Sequence, residues 1–168
     1  MAPEAWPAGP ALRPLLIGLL LGAPAAAAPP PQVLPLEARW CLPAGPCLEL
    51  EVADTPEEQR WGLMLRPALP RGRGMWFPFA SPRRARFWMH RTPASLDMLF
   101  VRHGRIMAIE HAAAPCPRLP CPSYGPAEPV DGVLELGAGE ARRLGLAVGD
   151  AFRTEPIAAR QTRGVADD

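Results

Sequence analysis

LDMLFVR at 96–102 and RIMAIEH at 105–111 are separated only by His103-Gly104, and this pair constrains the fold more than any other stretch. Alternation at period two predicts strands. A two-residue link with glycine available for a positive-φ position predicts that they fold back as a hairpin. Leu96, Met98 and Phe100 share one face, and Leu99 and Val101 the other; Ile106 and Ala108 likewise oppose Met107 and Ile109. A hairpin apolar on both faces is expected at the centre of a sheet. Asp97 is the polar exception near its start, suited to a turn or an ion pair.

The same alternation recurs elsewhere. CLELEV at 47–52 puts Leu48, Leu50 and Val52 on one face and Glu49 and Glu51 on the other, which predicts a half-buried strand or a sheet edge. The period then changes. Thr55 can cap a helix, Pro56 suits its first position and Glu58 the reciprocal capping-box position, so a helix is predicted over Pro56–Leu65. Trp61 and Leu65 meet on its core-facing side, and Gly62 in its middle allows close approach to the sheet.

GMWFPF at 74–79 and ARFWMH at 85–90 read as two strands joined by the turn ASPRR, directing Met75, Phe77, Phe79, Ala85, Phe87 and Met89 into one core. Phe87 is expected to be buried there. VDGVLEL at 130–136 is another strand, followed by a short helix near 138–144 that Gly145 ends and a turn at Gly149-Asp150. Leu144 and Leu146 anchor that unit. With 48% hydrophobic residues, the chain can build a core. The expected class is mainly β: a compact β sandwich or irregular barrel with two short helices. The strands follow one another too closely for repeated βαβ units, and Gly137-Ala138-Gly139 lacks the GxGxxG register of a dinucleotide site.

Arg13 precedes the apolar run LLIGLLL at 15–21, and GAPAAAA follows with small residues at Ala25 and Ala27, the pattern of a secretory signal. The apolar stretch contains Pro24 and falls short of the roughly 20 residues a membrane-crossing helix needs. The expected organisation is a signal peptide at 1–27, a proline-rich leader at 28–36, a single β-rich domain at 37–155 and a flexible tail at 156–168. The mature chain is expected to lack a transmembrane segment and to be periplasmic or extracellular. Cys41, Cys47, Cys116 and Cys121 would then meet an oxidising compartment. Three pairings exist; Cys41–Cys47 and Cys116–Cys121 are favoured because each spans a short proline-containing turn, with cross-pairing open. Neither CLPAGPC nor CPRLPC has the C-x-x-C spacing of a thiol oxidoreductase.

The formal charge is only +1, yet ten arginines and a single acid, Asp97, lie between Arg60 and Arg105. Arg84, Arg86, Trp88 and His90 alternate with the apolar members of their strand and form the candidate recognition strip, suited to an anionic ligand. Asp97 is the remaining ligand-binding candidate. Ser81, Ser95 and Ser123 lack a nucleophile-elbow sequence, and His90, His103 and His111 form neither HExxH nor a compact three-ligand spacing. No catalytic residue, metal or cofactor is therefore assigned; Glu110-His111 with Cys116 and Cys121 could hold a metal only if both thiols were reduced. No nucleic acid is expected as partner, because no recognised nucleic-acid module accompanies the arginines.

EVADTPEEQRWGLMLRPALP at 51–70, GMWFPF at 74–79, FWMHRTPASLDMLFV at 87–101, GRIMAIEH at 104–111 and VLELGAGEARRLGLAVGD at 133–150 together resemble the family called domain of unknown function 192, across 49–153. The resemblance implies a compact, mainly β domain with short helices, commonly in exported proteins, and no established reaction. Its family-like residues are Gly62, Met64, Arg66, Gly74, Trp88, Met89, Asp97, Gly145 and Gly149. His90-Arg91-Thr92 departs from a common Lys-Asn-Thr, and Ala94-Ser95 from a common Ile-Pro. The Cys116/Cys121 pair looks like the cysteine-bearing loop of many exported members, whereas Cys41 and Cys47 look like a local addition.

These readings lead to an exported or envelope-associated binding or interaction domain, with an anionic envelope ligand or an acidic protein surface as partner. A hydrolase acting on an extracellular or envelope substrate and a purely structural accessory domain are the alternatives. Oligomeric state is not legible. The exported form is expected to begin near Ala28 and to carry no free thiol. Intact-mass analysis with and without alkylation checks both points; a full-length soluble chain with four alkylatable cysteines would refute them.

Overall fold

The computed structural model describes residues 29–157. The expected signal peptide at 1–27 and the part of the expected tail from 158 onward lie outside them. The strands are β1 (Leu36–Cys41), β2 (Cys47–Val52), β3 (Arg73–Arg83), β4 (Phe87–Trp88), β5 (Leu96–Arg102), β6 (Arg105–Ala113), β7 (Ser123–Tyr124), β8 (Val130–Gly137) and β9 (Glu155–Pro156). The helices are α1 (Pro56–Trp61) and α2 (Glu140–Arg143). Seven strands form one mixed sheet in the order β6-β5-β8-β3-β2-β1-β9, and β4 pairs with β7 in a second, two-stranded sheet. The class is mainly β with two short helices, and among the described residues the large sheet does not close into a barrel.

β5 and β6 form the hairpin, turning through His103 at φ 49° and Gly104 at φ 66°. Two consecutive positive φ values match the twist of the flanking strands. The expected central position holds for β5 alone. β8 covers its other side, while β6 is the edge of the sheet. The sheet carries a core on each face, so alternation sorts side chains between two apolar layers rather than between core and water. Met75, Phe77, Met98, Phe100 and Val133 pack on one face, with Ala85 and Met89; Leu48, Leu50, Leu99, Leu134 and Leu136 pack on the other, with Trp40 and Phe152.

β2 lies between β1 and β3 and runs parallel to β3, so the β2-α1-β3 stretch is one crossover unit. The capping box forms as expected: Thr55 Oγ1 accepts from the Glu58 N–H, and the Glu58 carboxylate accepts from the Thr55 N–H. The helix stops at Trp61, short of the expected Leu65. Gly62 turns the chain at φ 45°, and a Cβ there would stand 3.3 Å from the Phe77 ring. Glycine ends the helix and lets the chain pass close to the core.

The expected ASPRR turn is also corrected. β3 continues through Ser81 and Pro82 to Arg83, and the next strand shrinks to Phe87–Trp88 in the small sheet. Both runs nevertheless serve one core. Met75, Phe77, Ala85 and Met89 are buried, whereas Phe87 is half-buried with its ring 5.1 Å from that of Phe77.

The last described residues join the two edges of the sheet. Ala151 bridges Arg105 on β6, and four residues later Glu155 pairs with Arg39 on β1. Between them Phe152 is buried edge-on to Trp40, with ring centroids 4.8 Å apart, and 4.6 Å from Trp76. Cys41–Cys47 links directly paired residues of β1 and β2, and Cys116–Cys121 closes the loop before β7; both are disulfides. Among the described residues no helix is long and apolar enough to cross a membrane.

Phe152→Ala is expected to destabilise the protein by about 3–5 kcal/mol, through lost transfer energy plus the cavity between two tryptophans. Phe87→Ala should be milder, because part of that ring is already in water. Denaturant unfolding of the two variants beside the parent checks the order.

Candidate functional site

Beyond β3 the chain runs along the small sheet with alternating exposure. Arg84, Arg86 and Trp88 are exposed, His90 is half-buried, and Ala85 and Met89 point into the core. The Trp88 and His90 rings lie 5.3 Å apart, and Arg86 Nη1 donates to the Gly125 carbonyl at 3.3 Å. Gly125 is required where it stands, since a Cβ would lie 2.2 Å from the Ala85 carbonyl oxygen. The disulfide loop buttresses the far end: His90 bridges Cys116, and His90 Nδ1 is 3.9 Å from Cys121 Sγ. With those two sulfurs bonded to each other, they are not free to join Glu110 and His111 around a metal.

The structure therefore gathers four of the five expected ligand-binding residues. Asp97 is not with them. It is wholly buried on the opposite face of the large sheet, where it pairs with Leu136. Oδ1 accepts from the Ala112 N–H and Oδ2 from the Ala141 N–H, both at 2.9 Å, tying β6 to α2. The only histidine near it is His111, with Nδ1 at 3.9 Å from Oδ1. Asp97 fastens the fold.

The ten arginines between 60 and 105 do not form one patch. Arg66 holds Glu51 in a buried two-pronged pair at 2.6 and 2.8 Å, a carboxylate that also accepts from the Leu34 N–H of the leader. Arg73 pairs with Glu49 and Arg60 with Glu57. Arg102 and Arg105 donate to backbone carbonyls. Like Arg102 and Arg105, Arg84 and Arg86 meet no carboxylate among the described residues, and Arg86 reaches only the Gly125 carbonyl.

Under Trp88 lies a feature that sequence reasoning missed. Glu135, on β8, is only 5% exposed, yet no donor among the described residues hydrogen-bonds its carboxyl. Burial without a compensating charge pushes its pKa up to about 8. Its neighbours on the flanking strands are Met75 and Met98. The carboxyl lines a cavity of about 40 Å³ walled by Trp61, Met64, Phe87, Trp88 and Thr92. The available signal was the second acid of VDGVLEL, Glu135, at a position whose neighbours two residues either side are Val133 and Gly137.

Thr92 also lines a shallower hollow of about 380 Å³ with Leu65, Arg91 and three prolines. Leu65 at φ 63° and Arg91 at φ 56° are non-glycine residues in the left-handed region, joined by a 2.8 Å bond from the Leu65 N–H to the Arg91 carbonyl. Two strained residues held against each other mark this rim as over-determined by its surroundings. A larger hollow, about 600 Å³, lies by α2, but its carboxylate is spoken for: Glu140 accepts from Arg143 and from the Gly72 N–H, which hold its pKa down. Among the described residues no three His, Cys, Asp or Glu side chains are grouped as metal ligands.

Fold and cleft together define a small mixed-sheet β domain with an aromatic-walled acidic cavity beside a cationic strip. The chain belongs to the family called domain of unknown function 192, described as "Uncharacterized ACR", whose model matches residues 42–154. A crystal structure of a protein of unknown function from Novosphingobium aromaticivorans is similar at 35% identity, with a TM-score of 0.62, covering 77% of this chain and 94% of that one. A candidate transcription regulator from Sinorhizobium meliloti is similar at 35% identity and a TM-score of 0.60, covering 71% and 92%. No curated protein matches. Of the family-like residues, Gly62, Met64 and Trp88 line the Glu135 cavity and Met89 fills the core on the same face. His90 and Arg91, where the chain departs from the common pattern, lie beside the cavity and on the rim of the adjoining hollow.

A raised carboxyl pKa means that the folded state holds an extra proton between the unfolded value near 4.5 and the folded value near 8. Stability from this group is full below pH 4.5 and is lost as pH rises through 8. Across that window the parent should lose about 1.4 kcal/mol per pH unit relative to Glu135→Gln. Denaturant unfolding of both proteins at pH 5 and pH 8 checks it; parallel pH profiles would place the carboxyl in water.

Proposed function

We propose that the chain is an exported binding domain that holds an anionic ligand along Arg84, Arg86, Trp88 and His90. The observation that carries this reading is that two arginines without a carboxylate partner stand exposed on one strip with an exposed tryptophan. Arg39, Arg60, Arg66, Arg73 and Arg143 each meet a carboxylate, while Arg84 and Arg86 stand exposed beside an exposed tryptophan. Guanidinium groups and an indole face presented together suit a flat or extended anion, such as an acidic glycan or an acidic protein surface. Export is supported by the signal-like pattern at 1–27 and by two disulfides, which fit an oxidising compartment.

The description of the Sinorhizobium protein as a candidate transcription regulator is not extended to this chain. Most arginines of the basic interval are engaged within the molecule, and an exported protein meets little nucleic acid. A hydrolase remains the enzyme alternative, and Glu135 is its best acid. No second carboxylate lines that cavity among the described residues, and its one hydroxyl, Thr92, donates to the His90 carbonyl rather than to a base, so the binding reading is preferred.

Arg84→Gln with Arg86→Gln should weaken binding of a sulfated polysaccharide, used as a polyanion probe, at least fivefold. Rising salt should weaken the parent more steeply than the variant, since screening acts on the charges removed. Unchanged affinity in the double variant would defeat the strip as the site. Absence of any polyanion binding by the folded parent would favour a purely structural role.

A further inference from the structure

We propose that the cavity at the foot of Trp88 binds a primary ammonium group, which Glu135 ion-pairs and the rings of Trp61, Phe87 and Trp88 surround. This goes beyond the anion reading and does not rest on it; the two sites share only Trp88.

The first ground is an unanswered acid. Glu135 is 5% exposed, lies between Met75 and Met98 in the sheet, and has no hydrogen-bond donor among the described residues. An isolated buried carboxyl is costly and is ordinarily paired or replaced. Here it lines the cavity beneath Trp88, so a partner has a place to come from.

The second ground is the lining. Aromatic faces attract a cation through their quadrupoles, most strongly where water is excluded, and indole does so best. Two tryptophans and a phenylalanine wall the space above the carboxyl. The third ground is size. About 40 Å³ exceeds the roughly 10–15 Å³ that a single water needs, which leaves room for a small polar head group. An ammonium head fits, with its alkyl stem passing out across the exposed Trp88.

No resident cation fills that role. Arg60 stands at the rim, exposed, with its guanidinium 3.5 Å from Glu57. Of the other charged groups on elements packed around the cavity, Glu58 is engaged in the α1 cap and Glu51, two strands away, is held by Arg66. Glu110 lies two strands away on the other side, and the His90 ring lies tilted beside that of Trp88. Binding then balances as follows: the protonated carboxyl gives its proton to solvent, and the carboxylate so formed takes the ammonium.

The test uses n-butylammonium and n-butanol as matched probes, followed by calorimetry and by indole fluorescence. Butylammonium should bind and butanol should bind at least tenfold more weakly. Because the carboxyl must ionise, affinity should fall roughly tenfold per pH unit below 8. At pH 7, calorimetry in buffers of different ionisation enthalpy should show about 0.9 proton released per ligand. Glu135→Gln, which keeps shape, should abolish binding and proton release together. Arg84→Gln with Arg86→Gln should leave butylammonium affinity unchanged, which separates this site from the anion strip. Equal binding of the two probes, full affinity in Glu135→Gln, or binding without proton release would each overturn the proposal.

Discussion

β8 is the strand on which the rest of the molecule depends. It is hydrogen-bonded to β5 on one side and β3 on the other, and an apolar layer covers each of its faces. In such a position neither alternation nor solvent offers relief, and each side chain must fit a packed neighbour. Gly132 illustrates the constraint. A Cβ there would lie 2.4 Å from the Trp76 ring and 2.6 Å from the Phe77 carbonyl, so the indole packs directly on backbone. Val133, Leu134 and Leu136 are completely buried. Glu135 is the single ionisable side chain admitted to this layer of β8, and the cavity above it is what makes that tolerable.

One row of the sheet shows how the site is built from register alone. Glu51, Met75, Glu135, Met98 and Glu110 are successive ladder partners across β2, β3, β8, β5 and β6. Directly paired residues share a face, so three acids separated by two thioethers line up under the loops that follow α1 and β3. Each acid has a different fate. Glu51 is neutralised by Arg66, Glu110 sits on the edge strand, and Glu135 is left between methionines. A buried two-pronged pair is weak evidence for stability but strong evidence for position. Arg66 pulls the chain after α1 back onto the sheet, and so brings Met64 to the cavity wall.

What could be read from the chain was local. The hairpin, the capping box, the β2 strand and the short helix before Gly145 each follow from residues within a few positions of one another. The two disulfides join cysteines five and six residues apart, and the alternation of Arg84, Arg86, Trp88 and His90 survives in the fold. What escaped was set by distant partners. Nothing in CLELEV says that its neighbour is parallel, or that Glu51 waits for an arginine 15 residues on. Asp97 looked available because its two donors, Ala112 and Ala141, are backbone groups that no side-chain pattern advertises. α1 stops early because of a ring on β3, and Glu135 matters because Trp61, Phe87 and Trp88 arrive from segments far from it in the chain.

The strap that joins the two edges of the sheet also sets an order of events. Ala151 meets β6 and Glu155 meets β1 from within the same short segment, with Phe152 wedged between tryptophans of β1 and β3. A chain delivered from its amino end has every other strand in hand before this segment appears, and both edges stay open until it does. Contacts so distant in sequence form late and slowly. A closing piece that follows every other strand among the described residues leaves the earlier strands unlocked until it arrives, so that one short late segment makes the sheet whole.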